Sequence, residues 1–207
     1  MTVRRFIVGH LSTNCYLVTC EKTNESVIID PGGMTETLLS MIKRTNLTAI
    51  LLTHGHFDHG ADAETISNMT GAPLMIHTLD VPMLSNPMIN GSAMIGTKIE
   101  IPPPQTFLIP GQSITFGDTS LTIIHTPGHT KGSVSFSYKE EFIIAGDTLF
   151  NFSVGRWDFP GGDYHTLMNT LKTIFYPLPD TMTVYPGHGD TTTIGFEREN
   201  NEFMTGL

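Results

Sequence analysis

Cysteine is nearly absent: the 207 residues contain two. Two thiols cannot make a disulfide framework, and Cys15 and Cys20 lie in a β-type stretch at an odd spacing, which points their side chains to opposite faces. Both read as reduced, buried core residues. No apolar run is long enough to span a bilayer, and Arg4 and Arg5 are not followed by the apolar core of an export signal. A cytoplasmic protein without a membrane partner is expected. Basic residues are also scarce, eleven Lys plus Arg against twenty Asp plus Glu, and the net charge of −9 opposes binding of nucleic acid by counterion release.

Charged residues make up only 15% and hydrophobic residues 39%, with aromatics spread throughout, so a disordered chain is excluded. The length suits one domain over residues 1–207, able to bury roughly 70% of the unfolded chain's surface. No metal or disulfide is needed merely to hold such a chain together.

Short β-type runs recur at Arg4–Val8, Cys15–Thr19, Val27–Asp30, Ala49–Leu52, Leu74–His77, Ser113–Phe116, Leu121–His125, Ser133–Tyr138, Phe142–Ala145 and Thr181–Tyr185. Helical patterns fall at Thr35–Arg44, Ala61–Met69, Tyr164–Phe175 and Phe196–Phe203, with Asp163 placed to cap the third. Helices thus follow groups of strands. That order predicts an α/β fold with two mixed sheets face to face and helices outside. Val81–Gln105, rich in Met and Pro, has no periodicity and reads either as an apolar flap on the core or as a lid over a ligand.

The densest chemistry lies in Thr53-His54-Gly55-His56-Phe57-Asp58-His59-Gly60. On a helix His54 and Asp58 would share a face without His56; on a strand His59 would oppose the other three. Only a tight loop at a strand end converges all four. His129, Asp147 and His188 each follow a β-run and a glycine in the same way. Buried imidazoles and carboxylates this crowded are costly to desolvate without a cation. His10, His77, His125 and His165 have no such setting and read as ordinary histidines.

Seven N and O donors without a thiolate do not suit a closed, four-ligand structural zinc. They divide between two divalent ions, zinc first, with iron or manganese as alternatives: His54, His56 and His129 on one, Asp58, His59 and His188 on the other, and Asp147 shared. Two such ions, two carboxylates and a hydroxide sum to about +1, enough to attract a negative substrate to a negative protein. Asp58 is the candidate catalytic residue, orienting the nucleophile.

The Thr-His-x-His-x-Asp-His loop with the later His129, Asp147 and His188 resembles the metallo-β-lactamase superfamily over nearly the whole chain. The resemblance implies a four-layer αβ/βα sandwich with a dinuclear centre at one edge. Within it, Thr13-Asn14-Cys15-Tyr16, Ile29-Asp30-Pro31-Gly32, Thr126-Pro127-Gly128-His129-Thr130, Gly146-Asp147-Thr148-Leu149-Phe150 and Pro186-Gly187-His188 look most like the short members of the glyoxalase II group. These hydroxyacylglutathione hydrolases cleave S-D-lactoylglutathione to glutathione and D-lactate, which implies a small-molecule thioester substrate. The larger members add a C-terminal helical domain, expected to be missing here, and continue Pro-Gly-His into Glu-Tyr where this chain has Gly189-Asp190. Arg156 stands where the group commonly has a substrate-side lysine. It either holds a substrate carboxylate or forms a surface pair with Asp158 or Asp163. The rival implied by the same scaffold is a persulfide dioxygenase with a single iron.

Overall fold

Strand after strand in this chain is apolar at consecutive positions because each sheet is covered on both faces. The computed structural model describes residues 1–207. The first half supplies β1 (Thr2–Val8), β2 (Thr13–Thr19), β3 (Glu25–Ile29), β4 (Asn46–Leu51), β5 (Leu74–His77) and β6 (Thr106–Leu108), which lie in that order in one sheet. The second half supplies β7 (Ser113–Phe116), β8 (Thr119–His125), β9 (Val134–Tyr138), β10 (Phe142–Gly146), the small hairpin β11 (Leu149–Phe150) and β12 (Ser153–Val154), then β13 (Thr183–Pro186) and β14 (Thr192–Thr193). Its six-stranded sheet runs β14-β13-β10-β9-β8-β7.

Both sheets are mixed, as expected. β1, β2 and β3 pair antiparallel and β3 to β6 parallel. In the second sheet only β10 and β13 are parallel. Parallel neighbours need crossovers, and these carry helices. The helices are α1 (Glu36–Ile42), α2 (Phe57–Gly60), α3 (Ala63–Thr70), α4 (Val81–Leu84), α5 (Tyr164–Thr170) and α6 (Ile194–Asn200).

Three apolar layers separate the four layers of structure. Cys15, Leu17, Ile28 and Ile50 face α1 and α3, where Leu38 and Ile66 meet them. Tyr16, Val18, Val27, Ile29 and Leu51, alternate residues of the same strands, turn inward against Phe136, Ile123 and Ile144 of the second sheet. Ile143 and Ala145 face outward to Leu167 and Leu171. The period of two is intact but masked, since both sets are apolar. Cys15 and Cys20 fall in different layers, both free and buried.

Asp163 caps α5 as expected, its Oδ1 accepting from the Thr166 N–H at 2.7 Å. Several boundaries differ from the sequence reading. The stretch Tyr164–Phe175 is α-helical only to Thr170 and then widens, so that the Tyr176 N–H donates to the Leu171 carbonyl five residues back. The helix expected at Ala61–Met69 is α3, shifted to Ala63–Thr70 and preceded by the unexpected single turn α2, and the last helix starts two residues early, at Ile194, where Thr193 caps it, and stops at Asn200. β6, the β11–β12 hairpin and β14 were not expected, since two or three residues carry no readable period. Within Val81–Gln105, Met83, Leu84 and Ile101 are buried while Met88, Met94 and Ile95 are 70%, 65% and 50% exposed. No helix is long and apolar enough to cross a membrane.

Phe136 lies fully buried between the sheets. Phe136→Ala is expected to cost about 3–5 kcal/mol and lower Tm by on the order of 10 °C in thermal unfolding. An unchanged midpoint would contradict the packing of that layer.

Candidate metal centre

The C-terminal ends of β4, β8, β10 and β13 meet at one edge of the sandwich, and the segments leaving them carry all seven candidate residues, although the tight loop expected for His54, His56, Asp58 and His59 gives way after His56 to the helical turn α2. His54 and His56 follow β4, Asp58 and His59 occupy α2, His129 follows β8, Asp147 leaves β10 and His188 leaves β13. Their donor atoms form overlapping clusters, His54/His56/His129, His54/His59/Asp147 and Asp58/His59/His188, each with its atoms within 4.8 Å of one another. His54, His56, His59 and His129 are buried. Asp147 lies between the sets, its Oδ2 3.6 Å from both His129 Nε2 and His188 Nε2 and its Oδ1 3.4 Å from His59 Nε2.

Surrounding groups decide which atom each imidazole turns inward. His129 Nδ1 lies 2.6 Å from the Arg156 carbonyl, which can only accept, so Nδ1 carries the hydrogen and Nε2 presents a lone pair. Thr53 Oγ1 donates to Asp30 Oδ2 at 2.7 Å, so His54 Nδ1, 3.0 Å away, donates to it and leaves Nε2 bare. His54 Nε2 and His129 Nε2 nevertheless stand 3.2 Å apart. His59 Nδ1 donates to Asp30 Oδ2 at 2.9 Å and its Nε2 faces Asp58, Asp147 and His188. Lone pairs and carboxylate oxygens thus predominate where the rings converge, with His56 Nδ1 2.9 Å from the bare His129 Nε2. Asp147 Oδ1 is buried without any hydrogen-bond partner. Such a donor set fits divalent cations.

The electrostatics agree. Burial holds His54 well below the ordinary imidazole value, His56 down to about 3 and His129 to about 4, so all three stay neutral and able to ligate. Burial also opposes charge on His59, but Asp147, Asp58 and Asp30 outweigh it and lift the group to about 10. The centre of this cluster therefore demands positive charge. Burial raises the Asp58 carboxyl, while His59 and His188 overcome that and leave it well below the usual carboxylate range.

Residues that were not singled out as functional hold the seven in place. Asp30, in the left-handed region at φ 54°, turns its carboxylate under the loop and accepts from the Thr53 N–H, Thr53 Oγ1 and His59. Asp80, also buried, accepts from the Gly55 N–H at 3.0 Å, Thr130 Oγ1 at 2.6 Å and the Gly132 N–H at 2.7 Å. It ties the His54–His56 loop to the loop bearing His129. Burial pushes its carboxyl up, and those donors pull it partly back. Asn14 donates from Nδ2 to the Pro186 and Gly189 carbonyls, and Tyr16 Oη to Pro186, so β2 clamps the loop bearing His188. Asp30, Asn14 and Tyr16 fall in two of the motifs that carry the family resemblance, without a role attached; Asp80 shows only as a polar residue shortly after an apolar run. Two glycines are required by close approach: a Cβ on Gly32 would lie 1.4 Å from the Asp58 carbonyl oxygen, and one on Gly187 2.0 Å from Asp147 Oδ1.

Arg156 lines the cavity above this edge, together with His56, Asp58, His129, Asp147 and His188. Its guanidinium also forms a two-point pair with Asp158, at 2.8 and 2.7 Å. His77 and His125 stack on one another outside the cluster, at 4.8 Å between ring centroids.

The pattern of the metallo-β-lactamase superfamily matches residues 8–188. Among named relatives, hydroxyacylglutathione hydrolase GloC of Haemophilus influenzae is 33% identical over 99% of this chain and 98% of its own length. The probable metallo-hydrolase YqgX of Bacillus subtilis is 33% identical over 100% of this chain and 99% of its own. Among solved structures, the B3 metallo-β-lactamase BLEG-1 superposes with a TM-score of 0.93 at 38% identity, covering 99% of this chain and 100% of that one. TTHA1623 in a di-iron-bound form gives 0.85 at 36% identity, over 97% and 100%. ETHE1 from Myxococcus xanthus gives 0.78 at 26% identity, over 98% and 84%.

Asp30→Ala is expected to leave a folded protein whose metal affinity falls about 10- to 100-fold, measured by titration after chelator treatment. Undiminished affinity would show that Asp30 does not orient His54 and His59. The pKa shifts give chelator-stripped protein a stability optimum near pH 6.5. The unfolded chain protonates His56 and His129 near 6.5 whereas the folded chain resists, so stability is lost toward about 4 and 3. His59 acts oppositely: its contribution is complete below about 6.5 and lost as pH rises through about 10. Melting curves from pH 4 to 10 test this, and a Tm that climbs steadily to pH 10 would contradict it.

Proposed function

The chain belongs to the metallo-β-lactamase superfamily, and we propose that it is a dinuclear-metal hydrolase that cleaves a thioester, with S-D-lactoylglutathione as the reference substrate. The observation that carries this reading is the convergence of buried lone pairs and carboxylates on two adjoining points, with the unpartnered Asp147 oxygen between them. One point takes His54, His56 and His129, the other Asp58, His59 and His188, and Asp147 serves both. N and O donors of this kind accept zinc, iron or manganese. The named relative GloC supports the choice of a thioester over other hydrolysable groups.

Divalent ions held there supply a hydroxide nucleophile near neutral pH and Lewis acidity toward a carbonyl oxygen. The chain's own residues do the rest. Asp58 Oδ2, fixed by the Thr13 hydroxyl at 2.9 Å, is placed to accept a hydrogen bond from the attacking nucleophile and aim it. Phe57, Phe150 and Phe159 shelter the reacting carbonyl from bulk water. Hydrolysis adds the water's OH to the acyl carbon and its proton to the departing sulfur, giving a carboxylic acid and a thiol.

Asp147→Ala is expected to lose both metal ions. Asp58→Asn is expected to keep the fold and cut kcat by about 10²- to 10⁴-fold. Metal analysis with an assay on S-lactoylglutathione tests the whole reading. Two equivalents of metal with hydrolysis support it. One iron with oxygen consumption on glutathione persulfide would overturn it in favour of the dioxygenase reading. Wild-type turnover in Asp58→Asn would show that another group orients the nucleophile.

A further inference from the structure

The cavity above the metal cluster has a volume of about 320 Å³, at the small end of the roughly 300–1,000 Å³ usual for ligand sites. Outside the cluster itself its lining is apolar but for Asn90 and Arg156, and is formed mainly by Leu11, Met94, Ile95, Phe150 and Phe159. Leu11, Met94 and Ile95 stay 45%, 65% and 50% exposed. Apolar side chains gathered in water at a cavity mouth mark the place where an apolar ligand removes them from it.

Arg156 is the one permanently cationic side chain in the lining. Its Nε and Nη2 both donate to the Asp158 carboxylate, and its guanidinium lies 4.1 Å from the centre of the Phe159 ring. The pair is exposed, so its own contribution to stability is small. An incoming carboxylate would either displace one tethered two residues away or take the guanidinium N–H groups that Asp158 leaves free, and in both cases it would sit beside the Asp158 charge, so the new pair is offset by a like-charge contact. Arg156 with Asp158 is therefore neutral toward ligands and adds a flat stacked surface to the wall. A glutathione arm, with two carboxylates and an ammonium, finds no oppositely charged group in this lining outside the metal cluster and the already paired Arg156.

From these observations we propose that the preferred substrates are thioesters whose thiol arm is uncharged and largely apolar, held by Leu11, Met94, Ile95, Phe150 and Phe159. The inference rests on the thioester reading above.

The test compares two substrates with the same acyl group and similar leaving thiols, S-lactoyl-N-acetylcysteamine and S-lactoylglutathione, on the metal-loaded protein. The neutral thioester is expected to show at least a ten-fold higher kcat/KM. Asp158→Asn, which frees the guanidinium, should raise kcat/KM several-fold for S-lactoylglutathione and leave the neutral substrate unaffected. Met94→Asp should lower the neutral substrate about ten-fold with metal content unchanged. Preference for S-lactoylglutathione in the wild type, with no response to Asp158→Asn, would overturn the proposal. Binding of the corresponding unreactive thioethers, read by calorimetry, separates the two readings. Tighter binding of the neutral thioether without hydrolysis of either thioester would end the hydrolase reading and uphold the pocket's chemistry; equal or weaker binding would overturn the pocket proposal itself.

Discussion

Like charges and lone pairs forced together in a buried place repel, and the edge of this sandwich is organised around that repulsion. Three carboxylates, Asp30, Asp58 and Asp147, surround His59 strongly enough to hold a proton on it to about pH 10. Two imidazole nitrogens that have each committed their hydrogen elsewhere, on His54 and His129, face one another at 3.2 Å. Positive charge relieves both conflicts at once. The neighbouring groups prevent the cheaper escape, which would be for the side chains to rotate apart. Asp30, the Arg156 carbonyl and Asp80 each fix a ring or a loop from behind, in the manner of outer groups around metal ligands generally.

The fold makes that restraint affordable in conformational terms because the ligands leave strand ends rather than long loops. β4, β10 and β13 lie inside their sheets, each paired with a neighbour on both sides, which fixes their C-terminal ends. The two sheets are also joined at the site. Asn14 and Tyr16 of the first sheet bind the carbonyls around Gly187 at the end of β13, and the Asn14 N–H donates to Gly187 at 2.7 Å. Close approach does the remainder. Gly32 brings the Asp30 turn against the backbone of Asp58, and Gly187 leaves the space occupied by Asp147 Oδ1.

The fold class and the cluster were legible because each rests on a pattern that survives in one dimension. Period-two apolar runs name strands, and seven ligand-type residues placed after such runs have few places to meet. What escaped were features whose meaning is set by three-dimensional neighbours. Asp30 is one acidic residue at the end of an apolar run, and only its contacts to Thr53 and His59 distinguish it from a turn residue. Asp80 lies 50 residues from its partner Thr130. The division of Tyr164–Phe175 depends on one carbonyl accepting from a residue five positions on, a choice that propensity does not encode. Arg156 had two readings, a substrate-carboxylate contact and a surface pair; it forms the pair with Asp158 and at the same time lines the cavity.

That double role separates the chemistry of the edge from its selectivity. The cluster is fixed by central strands and by buried carboxylates, so it tolerates little change without losing its ligands. The walls come from elsewhere: Leu11 from the β1–β2 turn, Met94 and Ile95 from the segment between β5 and β6, Phe150 from the small hairpin, and Phe159 from the loop before α5. None of these residues touches the hydrogen bonds that hold the donors. The hairpin is anchored separately, by the buried Glu197 accepting from the Phe152 N–H and by Asn201 reaching the Ser153 carbonyl. Side chains on the rim can therefore change the arm a substrate must carry at almost no cost to the cluster beneath, and a shared cluster by itself says what bond is attacked but not what is attached to it.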